Sequence, residues 1–246
     1  MYASAIAVTG ADPATVYAQF RAAVAQAQLT QWLAGLDSAS TRSTIIDISG
    51  KETNASELAT RRGHHVVRVL PAGEEPMPPP GAATVLGDEF GLEFVADGCA
   101  DGVIAEDGTL SRNLAAESMV SEIARVLRPG GRVFACVDNQ TRGMAALAQQ
   151  NAWPNLADLP RADVLLVPWP DGTITRCYAS EQLRELFTAA GFDVSWIRPR
   201  TVFAQRAVSY LLARDPGSFP QLLSAELRAR SDDSVGDQLV VSARRR

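Results

Sequence analysis

The spacing of apolar positions divides the chain into helices and strands. Asp12 and Pro13 form a helix start, an acid at the N-cap and proline at the first helical position. Val16, Phe20, Ala23 and Ala27 then recur at helical spacing, and Leu29, Trp32, Leu33 and Leu36 continue the apolar face. The pattern predicts a pair of leading helices within residues 1–40. Thr44-Ile45-Ile46-Asp47-Ile48 is a β-branched run and predicts a buried strand. A helical stretch from Ala55 to Arg62 closes at Gly63, and His65 to Leu70 reads as a second strand ended by Pro71. Strand, helix and strand at this spacing form a right-handed βαβ unit, the seed of a parallel sheet.

Beyond the proline-dense residues 71–80, Thr84-Val85-Leu86 reads as a weak third strand and Asp101 to Ala105 as a fourth. Leu114 to Leu127 carries Ala116, Val120, Ile123 and Leu127 on one helical stripe; Pro129-Gly130-Gly131 stops it, and Arg132 to Val137 is a fifth strand. Gln140 to Asn151 is helical, and Asn151 to Gly172 is loop-rich, with Trp153, Pro154, Pro160, Pro168, Trp169 and Pro170. Ser180 opens a helix to Ala190, and Phe192 to Ile197 is a sixth strand. Two short helices, around Val202–Ala213 and Phe219–Arg230, precede a last strand from Asp237 to Ala243. The alternation predicts a single doubly wound α/β domain over residues 1–246.

Composition narrows the chemistry. With 46% apolar and 21% charged residues among 246, the chain is globular rather than disordered. Cys99, Cys136 and Cys177 are odd in number and lack CxxC spacing, which suits a reduced compartment. The only histidines, His64 and His65, are adjacent and enter a strand on opposite sides, so neither a metal site nor a Ser-His-Asp hydrolase is expected. The N-terminus has no basic, apolar leader, and no apolar run approaches a membrane span, so a soluble cytoplasmic protein is expected. Net charge is −5, with 6 basic and 11 acidic residues up to position 100, which offers no phosphate-binding stripe for nucleic acid.

At Arg125-Val126-Leu127-Arg128-Pro129-Gly130-Gly131-Arg132 the sequence resembles the class I S-adenosylmethionine (SAM)-dependent methyltransferases, in which a helix, Pro-Gly-Gly and a buried strand follow one another. The βαβ start at Ile45–Leu70, the segment Gly87-Asp88-Glu89 with Leu92 to Asp101, and Leu183 to Phe192 match the same family in order, so the likeness spans residues 32–197. It implies a Rossmann-like sheet, mostly parallel with an antiparallel last strand, and helices on both faces. It also implies SAM as cofactor, held by Asp47, Ser49 and Gly50 after the first strand and by Asp88 and Glu89 after the third. Two departures stand out. The family's three loop glycines fall on Ser49, Lys51 and Thr53, and the acid that holds the ribose falls on Leu70. A P-loop is rejected, because Ile45 stands where its first glycine belongs and Glu52 follows Lys51.

Asp138, Glu106 and Tyr178 are the candidate bases. Asp138 and Asn139 follow the fifth strand, at the edge where open α/β sheets bind ligands. Residues 140–179 form an insertion of the kind that covers substrate in this family. Arg142, Trp153, Trp169 and Arg176 there suit an anionic or aromatic small molecule, and equally suit a packed loop with surface arginines. Residues 200–232 form a second, helical insertion, whose apolar helices offer a face for a homodimer. Two functions follow: methyl transfer to a small molecule, or a non-methylating relative that serves as binder, scaffold or partner subunit.

Overall fold

The computed structural model describes residues 12–36, 42–50, 53–71, 81–87, 91–158, 164–229 and 235–246. Strands β1 (Thr44–Asp47), β2 (His65–Pro71), β3 (Ala82–Gly87), β4 (Ala100–Ala105) and β5 (Leu127–Asn139) run parallel in the spatial order β3-β2-β1-β4-β5. The last strand, β9 (Gln238–Arg245), lies antiparallel against β5, and β8 (Phe192–Arg200) lies antiparallel against β9. A hairpin of β6 (Leu165–Pro168) and β7 (Ile174–Tyr178) extends the sheet. Asp138 pairs with Cys177 of β7 and with Gln238 of β9, so β7 takes the edge of β5 that β4 leaves after Ala135.

Strand alternation divides the core into two layers. Val133, Ala135 and Val137 face α4 (Ala116–Val126) and α7 (Ser180–Ala189), where Met119, Ile123, Leu183 and Phe187 pack on them. Phe134 and Cys136 face the other side, against Leu29, Trp32 and Leu33 of α1 (Pro13–Ala34) and Ala55 and Ala59 of α2 (Ala55–Arg61). Ile45 and Ile46 of β1 divide the same way. Helices therefore cover both faces, which is why the middles of the central strands, such as Ile45–Ile46, Val103–Ala105 and Val133–Val137, are continuously apolar.

Where the pattern predicts two leading helices there is one of 22 residues, opened by Asp12, whose carboxylate accepts from the Ala14 amide at 2.8 Å. Gln28, within it, is buried and accepts from Arg200 Nε. Its first half runs beyond the sheet, where Val16, Phe20 and Val24 pack on α8 (Gln205–Arg214) and α9 (Phe219–Arg228). The Phe20 and Phe219 rings meet edge-on at 6.0 Å.

The helix predicted over Leu114–Leu127 is α4, preceded by a short α3 (Thr109–Arg112) that the pattern does not reveal, with Asn113 Oδ1 accepting from the Ala115 amide between them. Pro129-Gly130-Gly131 does not stop α4, which ends at Val126; it forms a bulge inside β5, where the register jumps from Ala100–Leu127 to Gly102–Arg132. Gly130 sits there at φ +81°, and a Cβ on Gly131 would come 2.9 Å from the Arg128 carbonyl oxygen. The stretch read as loop, Asn151–Gly172, holds α6 (Trp153–Asp158) and β6, while β7 is a strand the pattern did not reveal.

Candidate functional site

Beyond the carboxyl ends of β1 and β4 the chain departs in opposite directions, to β2 on one side and β5 on the other. Open α/β sheets bind ligands at such a switch point. Asp47 ends β1 and is fully buried. Its Oδ1 accepts from the Ser49 amide at 3.0 Å, and its other oxygen accepts from the Ser56 hydroxyl of α2. Burial pushes its carboxyl above the usual range, against the pull of those serines and of the Arg68 guanidinium.

The turn after β1 closes upon itself. The Gly50 carbonyl accepts from the Thr53 amide, the Thr53 hydroxyl and Arg68 Nη2, each at 3.3 Å. Arg68 belongs to β2, in register with Asp47, and its side chain is buried. A Cβ on Gly50 would come 2.6 Å from the Asp107 carboxylate and 3.2 Å from Arg112, so those side chains cover the face of the glycine. Asp107 itself sits at φ +59°, an uncommon conformation for a residue with a Cβ.

Glu106 follows β4, and its amide donates to the Ser49 hydroxyl at 2.9 Å. Both its carboxylate oxygens are taken by Arg200, the last residue of β8, at 2.7 and 2.9 Å. Arg200 Nε donates in turn to Gln28 Oε1 of α1 at 2.7 Å. The ion pair is 4% and 6% exposed, so each charge is balanced where water is absent. This chain of bonds ties α1 to the crevice floor. Between α1 and the floor a cavity of about 510 Å³ remains, walled by Ala18, Ala22 and Ala25 and bordered by Arg21, Thr53, Asn54, Asp107 and Gln238.

The other predicted residues fall in three groups. Asp138 and Arg142 form an ion pair at the end of β5, and the Arg142 guanidinium lies 5.4 Å from the Trp169 ring, whose Nε1 donates to Thr175 Oγ1 at 2.8 Å. Burial pushes the Asp138 carboxyl up, opposed by Arg142. Arg176 pairs with Glu117 at 2.7 Å and lies over Tyr178, which is fully buried and donates its hydroxyl to the Leu110 carbonyl at 3.3 Å. Trp153 is exposed on α6. Asp88, Glu89, Lys51 and Glu52 lie outside the described residues. Leu70 is buried. Among the described residues no group of three His, Cys, Asp or Glu side chains comes together to hold a metal.

Arg68, Asp107, Arg200 and Gln28 shape the crevice without a local sequence signal. Arg200 and Glu106 are 94 positions apart, and only the sheet order brings them together.

Strand order, the antiparallel β9 and the layers of helices define the class I SAM-dependent methyltransferase fold. A structure from Listeria monocytogenes described as a SAM-dependent methyltransferase superimposes with a TM-score of 0.58 at 10% identity, over 89% of this chain and 99% of that one. The 1,6-didemethyltoxoflavin-N1-methyltransferase of Burkholderia thailandensis, solved with its substrate and S-adenosylhomocysteine, gives 0.55 at 16% identity over 90% and 78%. The (4+2) cyclase SpnF gives 0.50 at 17% identity over 89% and 80%. No model of a known protein family matches the sequence, and no curated protein does. No helix among the described residues is long and apolar enough to cross a membrane.

Among the described residues on the β2 side, Leu70, where the resemblance places the ribose-binding acid, is a buried apolar residue. Leu70 offers no side-chain acceptor to ribose hydroxyls, Arg68 donates to the Gly50 carbonyl, and the half-exposed Asp107 carboxylate lies against Gly50. Losing the charge-assisted pair to ribose alone costs about 1.5–3 kcal/mol.

Proposed function

We propose that this chain is a non-methylating relative within the methyltransferase fold, one that binds a small molecule in the half of the crevice roofed by α1. The observation that carries this reading is the contrast within one crevice. Arg68, Asp107 and Arg112 crowd the Gly50 turn on the cofactor side, while about 510 Å³ stays open beside α1, with Asp107 at its border. The candidate bases support it too: Glu106 and Asp138 each hold an arginine, and the Tyr178 hydroxyl is spent on a carbonyl.

A second reading, SAM-dependent methylation of a small molecule, is favoured by Asp47 at the end of β1 and by the fold itself. The two separate in a titration of the purified chain with SAM and S-adenosylhomocysteine, followed by calorimetry and thermal unfolding. The proposal expects no saturable heat and no shift at millimolar ligand. A ligand at a hundred times its Kd stabilises by about 2.7 kcal/mol. A saturable shift of that order would restore the methyltransferase reading.

A further inference from the structure

Away from the crevice, α1 and α9 leave a groove of about 680 Å³ between them. Its bed runs along α1 from Ala27 to Ala34 and along α9 from Phe219 past Leu223 to Arg228. Arg198 and Arg228 border it, with Arg62, which has an interaction of its own, beside them, and the described lining contains no Asp or Glu, in a chain whose net charge is −5. Arg198 is held in position, with its guanidinium 4.7 Å from the Trp196 ring and donating to Gln31 Oε1 at 3.5 Å. The groove therefore pairs an apolar floor with a positive border, the complement of an anionic amphiphile.

Its length selects among such partners. At about 1.5 Å of rise per residue, the bed measures roughly 10 Å along α1 and 14 Å along α9. An amphipathic helix of the dozen or so residues needed to hold together would be about 18 Å or longer, and would overhang both ends. An extended chain advancing roughly 1.2 Å per bond fills the bed with about eight to eleven carbons. We propose that the groove binds a medium-chain fatty carboxylate, its tail along α1 and α9 and its carboxylate among the arginines. This site is separate from the crevice and does not depend on the function proposed for it.

Calorimetry of the full chain with hexanoate, octanoate, decanoate and dodecanoate at pH 8, below their micelle concentrations, tests it, with 1-octanol as the neutral counterpart of octanoate. One carboxylate is expected per chain, tightening by up to about fourfold per added methylene and levelling once the bed is full. Octanol is expected to bind at least tenfold more weakly than octanoate, and Arg198→Gln with Arg228→Glu to abolish that difference. The proposal is overturned if decanoate gives no saturable heat at millimolar concentration, or if octanol matches octanoate on the unaltered chain. Sedimentation showing this face buried in a dimer would overturn it as well. The acid–alcohol comparison needs no variant, so a substitution that fails to fold leaves the test intact.

Discussion

The two halves of the crevice lie at the same edge of the same sheet and differ in what fills them. On the β2 side the described groups around the turn after β1 are largely partnered within the chain: Asp47 with two serines, the Gly50 carbonyl with Thr53 and Arg68, and Asp107 with Arg112 at 3.5 Å, while Arg68 Nε has no partner. On the α1 side the wall is alanine, with short side chains that leave room. A ligand entering the first half must displace hydrogen bonds and return equivalents, whereas one entering the second finds room beside short side chains and meets polar groups such as Arg21, Asn54 and Asp107 at its border. The fold supplies a crevice, and the side chains decide how much of it remains available.

Arg200 carries the largest expected effect, because it joins the floor of both halves. Arg200→Ala leaves Glu106 buried without a counter-charge and releases Gln28, which should destabilise the fold by about 3–5 kcal/mol. For a chain of this size that lowers the melting temperature by roughly 6–20 °C. Replacing both partners, Glu106→Met with Arg200→Met, should recover most of the loss, since no charge then stays buried. Equal melting of the single and double variants would refute the claim that the penalty lies in the stranded carboxylate.

Two small substitutions set the halves directly against each other. Gly50→Ala puts a methyl 2.6 Å from the Asp107 carboxylate, which is half-exposed and able to swing away, so a cost of about 1 kcal/mol is expected. Ala22→Leu lies on the exposed wall of the open half, where stability should change by less than about 0.5 kcal/mol. Thermal unfolding of the pair measures the contrast. If Ala22→Leu is the more costly, the cavity beside α1 is closed in solution and the comparison between the halves fails.

Much of the architecture was legible from local pattern. The β-branched run at Ile45–Ile48 announces a strand buried on both faces, broken only by Asp47, and the stripe Ala116–Ile123 announces a helix with one buried face. The β6–β7 hairpin was not legible: Leu166 and Ile174 are exposed, Arg176 lies within β7, and Pro168 ends β6, so no clean alternation survives. α1 is a single helix where the pattern suggests two, because its apolar positions serve two different packings, Val16, Phe20 and Val24 against α8 and α9 and Leu29, Trp32 and Leu33 against the sheet. At the crevice, Asp47, Ser49 and Glu106 do lie together, as their positions at strand ends imply. The arginines that occupy their surroundings were invisible, because an arginine in a strand carries no signature of the carbonyl or carboxylate it will meet.

The smallest expected effect concerns pH and tells the buried carboxylates apart. Asp47 and Asp138 both have folded-state pKa values raised by burial above the usual value of 3.8. For such a group the folded state holds its proton more tightly than the unfolded chain. Its contribution to stability is therefore full below pH 3.8 and is lost as pH rises through the folded value. Asp47→Asn removes one such group and keeps its shape. The amide oxygen still accepts from Ser49, and the Ser56 hydroxyl can turn to accept from the new NH2. Urea unfolding from pH 4 to pH 8 should then show a flatter decline for the variant. Asp138→Asn should flatten it as well, but at the cost of the Arg142 ion pair, whose guanidinium is one-third exposed and readily rehydrated. Identical slopes in wild type and Asp47→Asn would mean that water reaches Asp47, and the β2 side of the crevice would then be more open than its hydrogen bonds imply.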